Sequence, residues 1–219
     1  MSSNPYWQLL LQSTLVTLPE WGIAYYHPHI PASHIYDWGY WAEYQRRALT
    51  DIGYALNAAR IKMVREYEID SLDLIDIGIG SGAFVESYGC WGYDINPHAC
   101  GWLAARNQYL DPKAARGKTS MTFWDSLEHI VDPKPLLDVV TDYVFVSTPI
   151  YANLNQKLLG SKHYKPNEHV WYFTHYGLQQ FMKAHGFTML EHNDVESKLG
   201  RESIGSYVFK RAYVSTAAS

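Results

Sequence analysis

Apolar residues at Leu49, Ile52, Leu56, Ala59 and Met63 recur at alternating steps of three and four. That spacing puts them on one face of a helix and predicts a single helix from Trp41 to about Tyr67. Beyond it the pattern changes to short apolar runs separated by polar or glycine-rich stretches. LDLIDIG (72–78), CWGYDI (90–95), SMTFWD (120–125), YVFVSTP (143–149), FTMLEHN (187–193) and SYVFKRAYV (206–214) are rich in β-branched and aromatic residues and predict strands. Between them PHACGWLAARNQ, DPKPLLDVV and THYGLQQFMKAHG suit helices, the last stopping at Gly186. Such alternation predicts an α/β fold, a mainly parallel sheet with helices on both faces. The short link between the last two runs predicts an antiparallel pair at one edge. Upstream, residues 6–44 crowd Tyr, Trp, His and Pro without a period and read as a loop-rich cover. The expected division is residues 1–70 as cover segment and helix, and 71–219 as the ligand-binding domain, within one structural domain overall.

Composition narrows the partners more than the fold. A length of 219 residues suits one well-buried core. A formal charge of -4 gives no basic excess to draw the chain to phosphate backbones, and the basic spot KAARGK at 113–118 is too short for a nucleic-acid groove. Cys90 and Cys100 have no metal-ligand spacing and read as reduced thiols in a cytoplasmic protein. The N-terminal stretch has no basic region before its apolar residues, and no run reaches membrane-spanning length, so a soluble, unexported protein is expected.

The segment DIGIGSG sits where the first strand turns into its helix, the place where open α/β sheets bind ligands. Gly78, Gly80 and Gly82 lack side chains that would block a ligand across the turn and tolerate backbone angles closed to other residues. Asp94 closes the second run, where a carboxylate can accept both hydroxyl hydrogens of a ribose. A nucleoside-bearing cofactor is therefore expected. Gly78, Gly80 and Ala83 also fit the GxGxxA pattern of dinucleotide sites, which keeps a NAD(P)-dependent oxidoreductase as an alternative. Asp76 argues against it, since its charge just before the turn repels a pyrophosphate and favours a cationic ligand.

LIDIGIGSGAFVE, followed by GYDINPHA, TFWDSLEHIVDP and VFVSTP, resembles the class I S-adenosylmethionine-dependent methyltransferases, in particular the branch with D-x-LEH after the fourth strand. The likeness runs over about residues 70 to 214. It implies a Rossmann-like seven-stranded sheet of order 3-2-1-4-5-7-6, with S-adenosyl-L-methionine as cofactor and S-adenosyl-L-homocysteine as product. It also implies roles for single residues. Gly78, Gly80 and Gly82 would pass under the cofactor, Asp76 would help hold the methionine ammonium, Asp94 would bind the ribose, and Trp124 with Asp125 would line the methionine end. Between Asp94 and Met121 the chain departs from the family, offering one helix and YLDPKAARGKT where a third strand is usual. That strand is expected to be short or missing, with Asp111 a candidate substitute near the adenine that, beside Pro112, reads first as a turn former.

The acceptor side is expected above the carboxyl edge of the sheet, between the insertion 150–178 and the aromatic N-terminal segment. A small molecule methylated on oxygen or nitrogen fits the acidic charge and aromatic lid. A macromolecular acceptor and a non-catalytic S-adenosylmethionine-binding protein are the other readings, and oligomeric state is not readable. His129, His163 and His169 are the candidates for a general base, because imidazole titrates near neutral pH. Glu128 and His129 of LEH are also expected to tie the turn by hydrogen bonds. His27, His29 and His175 add imidazoles, but a metal site needs three or four convergent ligands, and none is expected.

Overall fold

The computed structural model describes residues 13–29, 36–155, 158–166 and 168–212. Residues 1–12 and 30–35 of the predicted cover and residues 213–214 of the last apolar run lie outside the described residues. In chain order, β1 (Thr14–Leu18) and β2 (Ile23–His27) form a hairpin across a 3-10 turn at Pro19–Trp21. Helices α1 (Trp38–Ala48) and α2 (Asp51–Arg65) follow. Then come β3 (Leu74–Ile77), α3 (Ala83–Tyr88), β4 (Trp91–Tyr93), α4 (Pro97–Ala104), β5 (Ser120–Trp124), α5 (Lys134–Leu137) and β6 (Tyr143–Pro149). The chain ends in β7 (Trp171–Phe173), α6 (His175–Ala184), β8 (Phe187–Asn193), α7 (Val195–Lys198) and β9 (Ile204–Arg211).

The predicted single helix is two. Thr50 interrupts it, its hydroxyl accepting from the Gly53 amide while Asp51 opens the next turn. The apolar stripe is accordingly split: Leu49 and Ile52 are 71% and 54% exposed, while Met63 is buried.

The main sheet runs β4-β3-β5-β6-β9-β8. Its first four strands are parallel, and β9 is antiparallel to both neighbours. Counted from residue 74 this is 2-1-4-5-7-6, the expected order with six strands instead of seven. The missing third strand survives as one parallel bridge between Gly92 and Tyr109, where the Gly92 amide donates to Gln108 O at 2.8 Å and the Leu110 amide to Gly92 O at 3.1 Å. Every residue of β3 and β5 is buried, as a sheet covered on both faces requires, whereas edge strand β8 alternates. On one face Ile75, Ile77 and Phe123 pack with Leu178, Phe181 and Met182 of α6. On the other, Leu74 and Trp124 pack with Met63, Val64, Phe84 and Leu103 of α2, α3 and α4.

A second sheet, β1-β2-β7, joins the N-terminal hairpin to the insertion. It corrects the expectation of a loop-rich cover: five-residue strands ending on a partner almost 150 positions away leave no local period to read. Gly22 (φ 64°) closes the hairpin, and a Cβ on Gly177 of α6 would lie 1.8 Å from the Gly22 carbonyl oxygen. Helix and hairpin thus meet backbone to backbone. No helix among the described residues is long and apolar enough to cross a membrane.

Candidate functional site

The carboxyl ends of β3, β4 and β5 open into two adjoining cavities of about 380 and 430 Å³, which share Tyr44, Gly78, Gly80, Trp124 and Asp125. The first reaches Asp76 and the α2 residues Ile52, Leu56 and Arg60, so Ile52 and Leu56 of the apolar stripe are cavity wall. The second reaches Asp94, Ile95, Tyr36, Tyr40 and His129.

The glycine turn carries φ angles of 74°, 53° and 78° at Gly78, Gly80 and Gly82, a region that favours glycine. What surrounds the three positions corrects the expectation that all leave room for a ligand. A Cβ at Gly78 would lie 2.7 Å from Ser126 Cβ, one at Gly82 2.6 Å from the Trp102 ring, and one at Gly80 3.2 Å from the Tyr44 ring. Gly82 therefore admits a tryptophan and lines neither cavity, while Gly78 and Gly80 line both.

Two carboxyl groups flank this turn. Asp76 is buried and accepts from the Thr122 hydroxyl at 2.6 Å. Burial pushes it up to about 7, against the Thr122 bond and the distant Arg60 charge. Asp94 accepts from the Asn96 amide at 2.8 Å. It too is raised by burial, opposed by the amides of Asn96, Ile79 and Ile95.

Asp125 follows β5 with φ 56°. Its Oδ2 meets Arg60 Nη2 at 2.9 Å and Arg201 Nη1 at 2.6 Å, and its Oδ1 meets Arg201 Nη2 at 2.9 Å. Burial alone would raise it, but Arg201 and Arg60 hold it down to about 2. Glu196 pairs with the same two arginines, so two cations and two anions close the end of the first cavity. Arg60, Glu196 and Arg201 were not singled out from the sequence. The one signal was Arg60, a charge four residues after Leu56 on a stripe otherwise apolar. Trp124 faces both cavities with its Nε1 buried and unpartnered, and the Arg60 guanidinium lies 5.2 Å from its ring centre.

The three candidate histidines separate. His129 lines the second cavity, and its Nδ1 donates to the Glu168 carbonyl at 3.0 Å, leaving Nε2 free. His169 is buried with its ring centre 4.7 Å from that of His129, edge to face. The Val170 amide donating to the Glu128 carbonyl at 2.7 Å brings the two segments together. His163 instead turns Nε2 to the Glu202 carbonyl at 2.7 Å and lines neither cavity, which removes it as a base for a ligand held there. Burial lowers His129, and burial with the neighbouring His129 lowers His169 to about 2, so both are neutral imidazoles at neutral pH. The Glu128 carboxyl faces its own backbone amide and the Thr148 hydroxyl, which lower it, while its buried Oε2 has no hydrogen bond of normal length. Burial and the Asp125 charge raise Glu128 to about 8. Of the other imidazoles, His27 and His29 pack near each other beside Trp171, and His175 donates or accepts at the Tyr207 hydroxyl at 3.0 Å.

Residues 37–192 match the model of a methyltransferase domain family. No curated protein matches significantly. Among solved structures, the chain is similar to a Burkholderia thailandensis 1,6-didemethyltoxoflavin-N1-methyltransferase with bound 1,6-didemethyltoxoflavin and S-adenosylhomocysteine. The identity is 13% and the TM-score 0.56, over 92% of this chain and 95% of that one. It is also similar to magnesium protoporphyrin IX methyltransferase from Synechocystis PCC 6803 with bound SAH, at 14% identity and TM-score 0.55 over 78% and 94%. A Clostridium acetobutylicum S-adenosylmethionine-dependent methyltransferase is similar at 15% identity and TM-score 0.53, over 77% and 95%.

Proposed function

The chain belongs to the methyltransferase domain family, and from that premise we propose that it transfers a methyl group from S-adenosyl-L-methionine to an oxygen or nitrogen of a small-molecule acceptor. The observation that carries this reading is the pair of adjoining cavities along the glycine turn, with buried Asp76 at one side of it and half-buried Asp94 at the other. Asp76 fits the cationic end of the cofactor: its carboxyl is held near 7 by burial, and an ammonium in the first cavity offsets that cost. Asp94, held at the mouth of β4 by backbone amides, accepts from the ribose hydroxyls, and Ile95 offers an apolar surface to the base. A pyrophosphate has no such fit, because both acids beside the turn oppose it.

When bound, the cofactor supplies a methyl on a sulfonium, which is already activated. The protein's share is alignment and care of the acceptor's proton. Tyr44, Trp124 and Asp125 stand where the two cavities meet and fix the cofactor's approach, with Asp125 immobilised by its two arginines. Tyr36, Tyr40 and Ile130 form the aromatic and apolar wall that excludes water from the second cavity, and His129 presents its free Nε2 there. The toxoflavin and protoporphyrin enzymes act on small molecules by name, and the part of the second cavity beyond Asp94 and Ile95, toward His129 and Ile130, is left for such an acceptor. The chain up to residue 70 serves as the cover of this site within one structural domain, and the free thiols of Cys90 and Cys100 accord with a cytoplasmic place. Calorimetry with S-adenosylmethionine, its demethylated product and NADH tests the cofactor. Tight binding of the first two and none of the third is expected, and the reverse sinks the reading. Turnover with a panel of hydroxyl and amine acceptors then separates an enzyme from a cofactor-binding protein.

A further inference from the structure

Beside the second cavity, Glu128, His129 and His169 each offer one ligand atom, and these atoms lie within 4.8 Å of one another. We propose that this triad binds a divalent first-row metal ion, with Glu128 Oε2, His129 Nε2 and His169 Nδ1 as ligands and the cavity side left open for an oxygen of the acceptor. Three separate observations lead there. Buried polar side-chain atoms almost always have a hydrogen-bond partner. Among the described residues seven do not, and two of these are Glu128 Oε2 and His169 Nδ1. A third, the Tyr172 hydroxyl, belongs to a ring packed 6.1 Å from His169. Neighbouring atoms on two facing side chains are thus left unsatisfied, and both are lone-pair donors.

The second observation is the state of His129. Its Nδ1–H is spent on the Glu168 carbonyl at 3.0 Å. A backbone carbonyl behind an imidazole is the arrangement that fixes the tautomer and turns the other nitrogen to a metal. Third, the ligands come from two chain segments clamped to each other, because the Glu128 carbonyl accepts the Val170 amide at 2.7 Å. The donor set cannot drift apart without breaking that bond. Metal bonds of about 2.0–2.2 Å require the three atoms to draw together by roughly 1 Å, which small rotations of the side chains provide. Two imidazoles and one carboxylate, with one position open, suit zinc, iron, cobalt or manganese rather than calcium or magnesium.

The role of such an ion rests on the methyltransferase reading, although its binding does not. An acceptor hydroxyl coordinated at the open position loses its proton to solvent water, the O–H electron pair staying on oxygen. That oxygen forms the new C–O bond as the C–S bond breaks and its pair returns to sulfur. The histidines then act as ligands and no imidazole serves as base.

The test is titration of chelator-treated, metal-free full-length protein with cobalt(II), read by visible absorption. One equivalent is expected, with the intense bands of four- or five-coordinate cobalt. Glu128→Gln and His169→Gln are each expected to weaken binding about tenfold or more, while His98→Gln, an exposed position beside Trp38 that lines neither cavity, keeps it. Circular dichroism of each variant establishes that it is folded. Absence of cobalt binding at millimolar concentration by the folded wild-type protein overturns the inference, as does unchanged affinity in folded His169→Gln. Calorimetry with S-adenosylhomocysteine on the same samples reads the other site: failure there overturns the proposed function, while the cobalt spectrum still decides the metal site.

Discussion

The two ends of the cavity are built by opposite means. At the glycine turn the walls are largely backbone: left-handed Gly78 and Gly80, amides on Asp94, and strands whose neighbours lie within about fifty residues. At the acceptor end they are side chains brought from distant segments, Tyr36 and Tyr40 with His129 and Ile130, and His129 is backed by His169 from beside a small sheet spanning residues 14 to 173. A site that must meet an invariant cofactor can be written into one turn. A site that must suit a particular acceptor is assembled from parts that vary independently.

The largest effect is expected where a single carboxylate is responsible for a ligand. Asp94→Ala removes paired hydrogen bonds to a charged acceptor, worth about 3 kcal/mol together, or on the order of 100-fold in affinity for S-adenosylhomocysteine by calorimetry. An unchanged affinity in the folded variant would mean the ribose is held elsewhere, and the backbone-built end would lose its defining contact.

The acceptor end is next, through stability. Gly177→Ala drives a methyl into the Gly22 carbonyl, with 1.8 Å available, and overpacking of this kind costs about 2 kcal/mol. Urea unfolding is expected to show the loss, with acceptor turnover falling more than cofactor affinity. Equal losses of both would show that the two ends are one rigid unit.

Sharper still is a pH test confined to the cofactor end. Asp76 titrates at about 7 because burial disfavours its charge, and only the carboxylate attracts an ammonium. Affinity for S-adenosylhomocysteine should therefore rise about tenfold between roughly pH 5.5 and 7. Asp76→Asn should bind more weakly and without that slope. The same raised value makes the ligand-free protein lose stability as pH climbs from the ordinary carboxylate range through about 7.

The smallest effect is expected at Gly80. Alanine there adds a strained left-handed residue, about 1 kcal/mol, and presses on the Tyr44 ring at 3.2 Å. Thermal unfolding should register it, with a few-fold loss of cofactor affinity. A substitution without effect would show that Tyr44 yields, and that the cover is looser than its contact with the turn suggests.

What could be read from the sequence follows the same division. The alternation of strands and helices, the turn at 78–82 and both flanking acids lie in local patterns, while the order of the main sheet came from the resemblance to the methyltransferase family. The missing third strand showed as a gap in the apolar runs between Asp94 and Met121. The break at Thr50 falls inside an apolar period of threes and fours that runs on across it. The small sheet, the Arg60–Asp125–Arg201–Glu196 group and the meeting of His169 with Glu128 depend on pairings across 40 to 150 positions, which no local spacing records. His163 and His169, six residues apart in one insertion, looked equivalent and end on different partners because a single amide, that of Val170, is fixed to Glu128.

The pairing of Ile23 with Phe173 has a consequence for how the chain is made. The N-terminal hairpin is synthesised first, yet its partner strand emerges only after most of the main sheet has been translated. Until then a Tyr- and Trp-rich segment has no edge to dock on. Closing so long a loop is slow and entropically costly, so the acceptor end is the last part to assemble and the first to open. Amide hydrogens of residues 23–26 should accordingly exchange faster than those of 74–77 in the same folded molecule, and the doorway for the acceptor is the seam that closed last.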